Sequence, residues 1–377
     1  MSGETGNDIP EKRIQDGKDE KTMAEKVKKK TSIGGQALIE GVMMRGPEKT
    51  AMAVRHSSGE IRQKCWDTET RKAPAVFRVP VLRGIYNFIS SMKAGYRCMM
   101  DSVTMSGMEE ELTALEREEK VKKAAEKRAK AEGCEVTPEL LAEEDAAFEA
   151  AQKKTEKPEK SGLMNATMAV GTVLGVVLAV VLFMWLPRLA VGGLEKLFST
   201  SFSAVVRSGI EQLIKLAVMV LYMWLISLMK DIHRVFCYHG AEHKTIFCYE
   251  KGLPLTVENV RPQRRFHPRC GTSFLILMIL VSLLFSTLIQ WIFPGVYTVK
   301  WLWVLAKLLM IPLVCGFGYE LLKLCGRYDN WLTRAVAAPG MWVQRITTKE
   351  PDDSMIECAI AALEAVIPED AEKDVWR

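Results

Sequence analysis

The sequence predicts a mainly α-helical, polytopic membrane protein, and three observations carry that reading. Two apolar stretches, Leu163 to Pro187 and Gly271 to Thr298, contain no charged residue. Two more, Ile210 to Met229 and Trp301 to Leu322, carry only Glu211 and Lys215, and Lys307 and Glu320. A helix crosses a bilayer core with about 20 apolar residues, because each residue rises about 1.5 Å. About four transmembrane helices follow, accompanied by a small N-terminal β-hairpin region and an amphipathic helix. The averages conceal this segregation: 377 residues, Lys+Arg 51 against Asp+Glu 46, 48% hydrophobic and 26% charged resemble an ordinary soluble chain. A formal excess of +5 is no basic surface for a phosphate backbone. Nucleic acid is therefore not an expected partner; the lipid bilayer is, and a homo-oligomer stays open.

Taken in order, residues 1–30 end in Lys28-Lys29-Lys30 and lack the apolar core of a cleavable signal peptide, so a disordered basic tail is expected. Residues 31–108 change character. Ser32 to Pro47 reads as two short extended stretches broken by glycines, and Ala51–Arg55 and Ile61–Trp66 flank a Ser57-Ser58-Gly59 turn, which predicts a hairpin. From Arg78 to Gly107, Val81, Leu82, Ile85, Phe88, Ile89 and Met92 recur at helical spacing among Arg83, Lys93 and Arg97. That pattern predicts a helix lying on the membrane surface or covering the spans, not a fifth crossing. Residues 109–160 are densely charged and read as a solvated helical or flexible spacer. Residues 161–338 form the expected membrane domain, with a His/Cys loop at 230–272, and residues 339–377 a cytoplasmic C-terminal segment. Lys230, Arg234, Lys244, Lys251, Arg261, Arg264, Arg265 and Arg269 crowd the segment between the second and third spans. The positive-inside rule makes that segment cytoplasmic, which puts both termini inside a multi-pass plasma-membrane protein. Cysteines facing a reducing cytosol are expected to stay unpaired, with Cys237, Cys248, Cys270 and Cys358 accessible from that side.

The chemistry-bearing residues cluster in this segment. His239 and His243 are four apart, so on a helix continuing the second span they share a face, at a spacing a tetrahedral metal accepts. The order His239-x-x-Glu242-His243 is that of inverted zinc peptidases, whose glutamate activates water. The alternative is a pair of interfacial histidines bonded to carbonyls or headgroups. Downstream, His267-Pro-Arg-Cys270-Gly resembles half of a zinc knuckle. Two histidines with His267 and Cys270 close a four-ligand, structural site; with one ligand off, the open position takes water and Glu242 serves as base. Cys270 also reads simply as a small residue at a helix entrance. Glu320, a carboxylate in an apolar helix, is a further candidate ligand, with an i,i+3 pair to Lys323 as the plainer account. Glycines around Glu40 and Arg45 let that loop approach another surface, where the two side chains pair or line a site.

Several of these stretches together carry a resemblance. Ser32 to Pro47, His239-Gly-Ala-Glu-His-Lys244 with Leu255 to Arg261, His267 to Phe274, and Pro339 to Asp353 resemble the YqhQ family of bacterial multipass membrane proteins. The resemblance spans residues 31 to about 366, with the 109–160 segment long for the family. It implies the membrane architecture and, for a domain of unknown function described only as a metal-dependent enzyme, a divalent metal, zinc, at His239, Glu242, His243, His267 and Cys270. The leading expectation is thus a metal-dependent membrane hydrolase with its site at the cytoplasmic face: His239, His243 and His267 hold zinc, Cys270 completes the shell and Glu242 takes a proton. Peptide, lipid headgroup and other membrane-proximal substrates stay open. A scaffold or assembly factor with a structural metal is the second class. A transporter is disfavoured by few intramembrane polar groups and no internal repeat.

Overall fold

A computed structural model describes residues 31–68, 79–133, 135–154, 162–297, 299–328, 330–370 and 373–374; the expected basic tail at 1–30 lies outside them. The chain is mostly helical and divides into two units, residues 1–102 with 220–377, and residues 103–219.

The first unit opens with an antiparallel meander, β1 Gly34–Leu38, β2 Gly41–Arg45, β3 Lys49–Arg55 and β4 Ile61–Asp67, paired in sequence order. The expected hairpin is its β3–β4 half, and the two glycine-broken stretches are β1 and β2. A two-residue turn joins these, with Glu40 in the left-handed region at φ 52°. Val42 opposes Ala53 and Met44 opposes Ala51, so the central strands β2 and β3 present an apolar face. It packs on α7 Lys230–Glu250 and α12 Asp353–Glu364, burying Tyr238, Ala241, Ile356 and Leu363 completely.

The opposite face carries the row Gln36, Met43, Met52 and Lys64. There the amphipathic helix α1, Leu82–Met105, is tied down by Gln36 Nε2 donating to the Gly95 carbonyl (3.4 Å) and Lys64 pairing with Asp101 (2.6 Å). Its first turns meet α10, Lys300–Arg327: Asn87 donates to Tyr319 Oη (3.0 Å), and a Cβ at Gly84 would lie 2.9 Å from the Gly316 carbonyl oxygen. A small-residue face, Gly84, Gly95 and Cys98, thus meets α10 at one end and the sheet at the other, while Leu82, Ile89 and Met92 of the expected apolar face stay exposed.

Four helices are long and apolar enough to cross a membrane: 170–197, 205–226, 271–292 and 301–327. The first runs past the charge-free stretch. α4, Gly162–Val180, passes through a π-helical turn, Val181–Trp185, into α5, Leu186–Leu197, and the wider turn accommodates Pro187, which cannot donate a helical bond. The second, α6 Ala204–Ile226, does not continue into the histidine segment: Met229 is extended (φ −72°, ψ 132°) and starts α7 as a separate helix. α9 Gly271–Ile292 and α10 pack together through Val281, Met310 and Val314.

The charged spacer is a helical pair, α2 Met108–Glu132 and α3 Pro138–Lys154, in the second unit. Arg117 bridges to Asp145 and Glu149, and Ala125, Ala129 and Leu140 form its small core. In the first unit the remaining α-helices are the single turn α8 Val257–Val260 and α11 Trp331–Thr347. The first and last of its described residues meet: Thr31 Oγ1 and the Ser32 main-chain N–H donate to Asp374 (2.6 and 2.8 Å), as does Tyr249 Oη (2.9 Å). Cys237, Cys248 and Cys358 are buried in this unit, so the expected accessibility fails for them; Cys65 is the exposed thiol among the described cysteines.

Candidate metal centre

α7 is buried along its middle because the sheet, α12 and the 347–349 segment surround it. Gly240 permits the closest approach, since a side chain there would collide with the Lys349 carbonyl, whose own N–H donates to Phe236 O (2.8 Å). One turn of this helix presents His239, Glu242 and His243, at 9%, 4% and 1% exposure. Each imidazole is fixed by a main-chain acceptor. His239 Nδ1 donates to Thr347 O (2.8 Å), and His243 Nδ1 donates to Arg265 O. A carbonyl can only accept, so both Nδ1 atoms carry a proton and both Nε2 atoms point inward, the orientation of outer-shell-supported metal ligands.

Cys270 arrives from the other side, as N-cap of α9, with Sγ 3.1 Å from His239 Nε2. The ligand atoms of His239, His243 and Cys270 all lie within 4.8 Å of one another. His243 Nε2 and Glu242 Oε2 are buried without a hydrogen-bond partner among the described residues, an arrangement costly unless something binds there. The donor set, two imidazoles and one thiol at mutual reach, fits zinc or a similar transition ion.

Electrostatics agree with that chemistry. Burial opposes ionisation of Cys270, but the adjacent His239 and His243 outweigh it and hold the thiol well below its ordinary range. His239 is likewise raised to about 9: burial opposes its charge, and Cys270 overrides it. Burial pushes the Glu242 carboxyl up. The Gly35 main chain leans on that carboxyl so closely that a Cβ there would sit 2.8 Å from Oε1. β1 therefore needs glycine at this point.

His267 does not join the three. Its Nδ1 accepts from the Arg269 N–H (3.3 Å), and its Nε2 lies 3.3 Å from Arg269 Nη2 and 3.9 Å from Glu250 Oε2. Burial lowers it to about 4, while Glu250, against its own burial, is held at about 2 by His267 and Arg269. The other candidates lie apart. Glu40 pairs with Arg234 through two 2.5 Å bonds and accepts from Tyr238 Oη (3.3 Å), so its partner is not Arg45, which opposes Gly34 and Thr50 at the far end of β2. Glu320 is clamped by Arg83 (2.6 and 2.5 Å), not by Lys323, because α1 brings a guanidinium to the α10 surface.

Sequence reasoning missed Thr347, Gln344, Glu250 and the Arg265 carbonyl. Gly35 alone left a signal, the Gly34-Gly35 pair.

Comparison with known proteins agrees over most of the chain. Residues 79–369 match the family described as "Protein of unknown function (DUF1385)". "Uncharacterized protein YqhQ" of Bacillus subtilis (strain 168) is 31% identical over 339 residues, covering 89% of this chain and 92% of the relative. No solved structure matches. With its matched span holding the helical histidine pair, the His-x-x-Cys arm and both flanking apolar helices, the chain belongs to the DUF1385 family.

Proposed function

We propose that this protein is a metal-dependent enzyme of the plasma membrane, a hydrolase, with its site and both termini on the cytoplasmic side. The observation that carries the reading is the pair of buried acceptors, His243 Nε2 and Glu242 Oε2, which have no hydrogen-bond partner among the described residues and lie beside the Cys270 thiol. His239, His243 and Cys270 would hold the ion. Zinc, when bound, supplies a Lewis acid that makes water acidic near neutral pH. The chain supplies the rest: carbonyls of Thr347 and Arg265 orient the imidazoles, and burial excludes bulk water. Glu242, its carboxyl raised, takes and returns a proton at a water or substrate oxygen.

A scaffold with a structural metal is the second reading. A structural site closes with four protein ligands, and the turn of His267 toward Glu250 and Arg269 favours the enzyme. The full chain, purified in detergent, is expected to hold one transition ion. Glu242→Gln keeps that ion and the fold but fails to complement a gene deletion, whereas His243→Ala loses the ion. Full complementation by Glu242→Gln supports the scaffold, and a fresh preparation with no transition metal overturns both readings.

A further inference from the structure

The candidate centre draws its ligands from two places, a helix turn and a loop, so something must set their separation. Gln344 of α11 is fully buried and grips the loop at three points. Its Oε1 accepts from the His267 main-chain N–H (2.8 Å), and its Nε2 donates to the His267 carbonyl (2.8 Å) and to Ser273 Oγ (3.1 Å). A main-chain N–H only donates and a carbonyl only accepts, so the amide has one workable orientation. Three residues on, the Thr347 carbonyl holds His239. Four residues back, Gly340 lets Ser273 approach until a Cβ would lie 2.7 Å from its Cα. One short stretch of α11 therefore fixes both the imidazole and the arm that carries Cys270. The His267 ring lies beside that of His243, with centroids 5.6 Å apart, but its nitrogens face Arg269 and Glu250, and it packs edge-on to Phe247 at 4.9 Å.

We infer that Gln344, acting through the His267 main chain, is the residue that positions Cys270 against His239 and His243, and that His267 is a strut of this arm and not a fourth ligand. The inference rests on the metal reading above and deepens it. A three-ligand centre keeps an open position, as catalytic zinc sites do, where a closed four-ligand site would not.

Cobalt(II) is the probe, because its absorption reports a sulfur ligand through charge transfer and the ligand number through its d–d bands. The detergent-purified full chain is titrated with cobalt(II) against a chelating dye, for the wild type and for His267→Gln, Gln344→Met, Gln344→Glu and Cys270→Ser. Cys270→Ser is expected to lose the charge-transfer band. His267→Gln keeps one cobalt per chain and an unchanged spectrum, with affinity lowered by about 10- to 100-fold, the usual effect of a partner behind the ligands. Gln344→Met weakens binding to the same extent and alters the sulfur band. Gln344→Glu, which retains the acceptor for the His267 N–H, falls between. If Gln344→Met does not fold, the other variants still decide. Loss of cobalt, or of a ligand's worth of d–d intensity, in His267→Gln overturns the strut. Wild-type affinity and spectrum in a folded Gln344→Met overturn the positioning role. A wild-type chain that takes up neither cobalt nor zinc overturns the metal reading itself.

Discussion

At the scale of single residues, His267 offers a test that does not depend on any ligand. Its folded value of about 4 lies below the ordinary value of 6.5, so between these the unfolded chain binds the extra proton. The stability it contributes is complete above pH 6.5 and is lost as pH falls toward 4. Glu250, held at about 2 from an ordinary 4.5, contributes stability that is complete above 4.5 and is lost as pH falls toward 2. Thermal unfolding of the metal-free chain should therefore show Tm falling from pH 7 to 4, and the difference between wild type and His267→Gln should shrink over that window. A constant difference across it refutes this account. The residues that touch the centre were legible where spacing on one helix is enough: His239, Glu242 and His243 occupy one turn, and Cys270 sits two residues beyond a proline at a helix entrance. Thr347 and Gln344 were not, because they act on His239 and His267 from 108 and 77 positions away, and a carbonyl or an amide leaves no local pattern.

At the scale of elements, charge-poor apolar runs located the four apolar helices and glycines and a turn located the strands, and the sequence pattern failed where a partner decides. The pattern of α1 announced an apolar face, yet the face that packs on α10 and the sheet is the small-residue one, with Gly84 facing Gly316 and Gln36 facing Gly95, while Ile89 and Met92 stay exposed. The break between α6 and α7 was also hidden, since Ser227 to Met229 contains neither glycine nor proline. Where α1 meets α10, the Arg83–Glu320 clamp is one-third exposed on the arginine side (33%) and 21% exposed on the glutamate side. Removing one partner leaves a carboxylate against an apolar wall, so Arg83→Leu should cost about 2 kcal/mol, the scale of a hydrogen bond to a charged group. Replacing both, Arg83→Leu with Glu320→Leu, should recover most of that, because a matched pair and a matched apolar contact differ little. Unfolding in detergent measures both, and a double variant no better than the single one contradicts the explanation.

For the whole molecule, most of the basic 230–269 segment is tied into ion pairs. Arg234, Lys244, Arg261, Arg265 and Arg269 are each paired, with Glu40, Glu350, Asp353, Glu350 and Glu250. The segment is built into the first unit, a fact no charge count conveys, and the orientation needs its own measurement. Cys65, exposed on β4, is the reporter: a membrane-impermeant maleimide should label it in inverted vesicles and not in intact cells. Labelling in intact cells would reverse the proposed topology. The meeting of Thr31 and Ser32 with Asp374 carries a last consequence, for biogenesis. The meander precedes the apolar helices in sequence and its apolar face is buried only by α7 and α12, which follow them or lie between them, while its strand entrance is tied to Asp374, beyond all four. Asp374 is synthesised after every one of those helices, so the sheet waits, incompletely covered, while they are made. Closing of the strand entrance is accordingly a late event of biogenesis, and the partly synthesised chain is the state most exposed to chaperones and proteases.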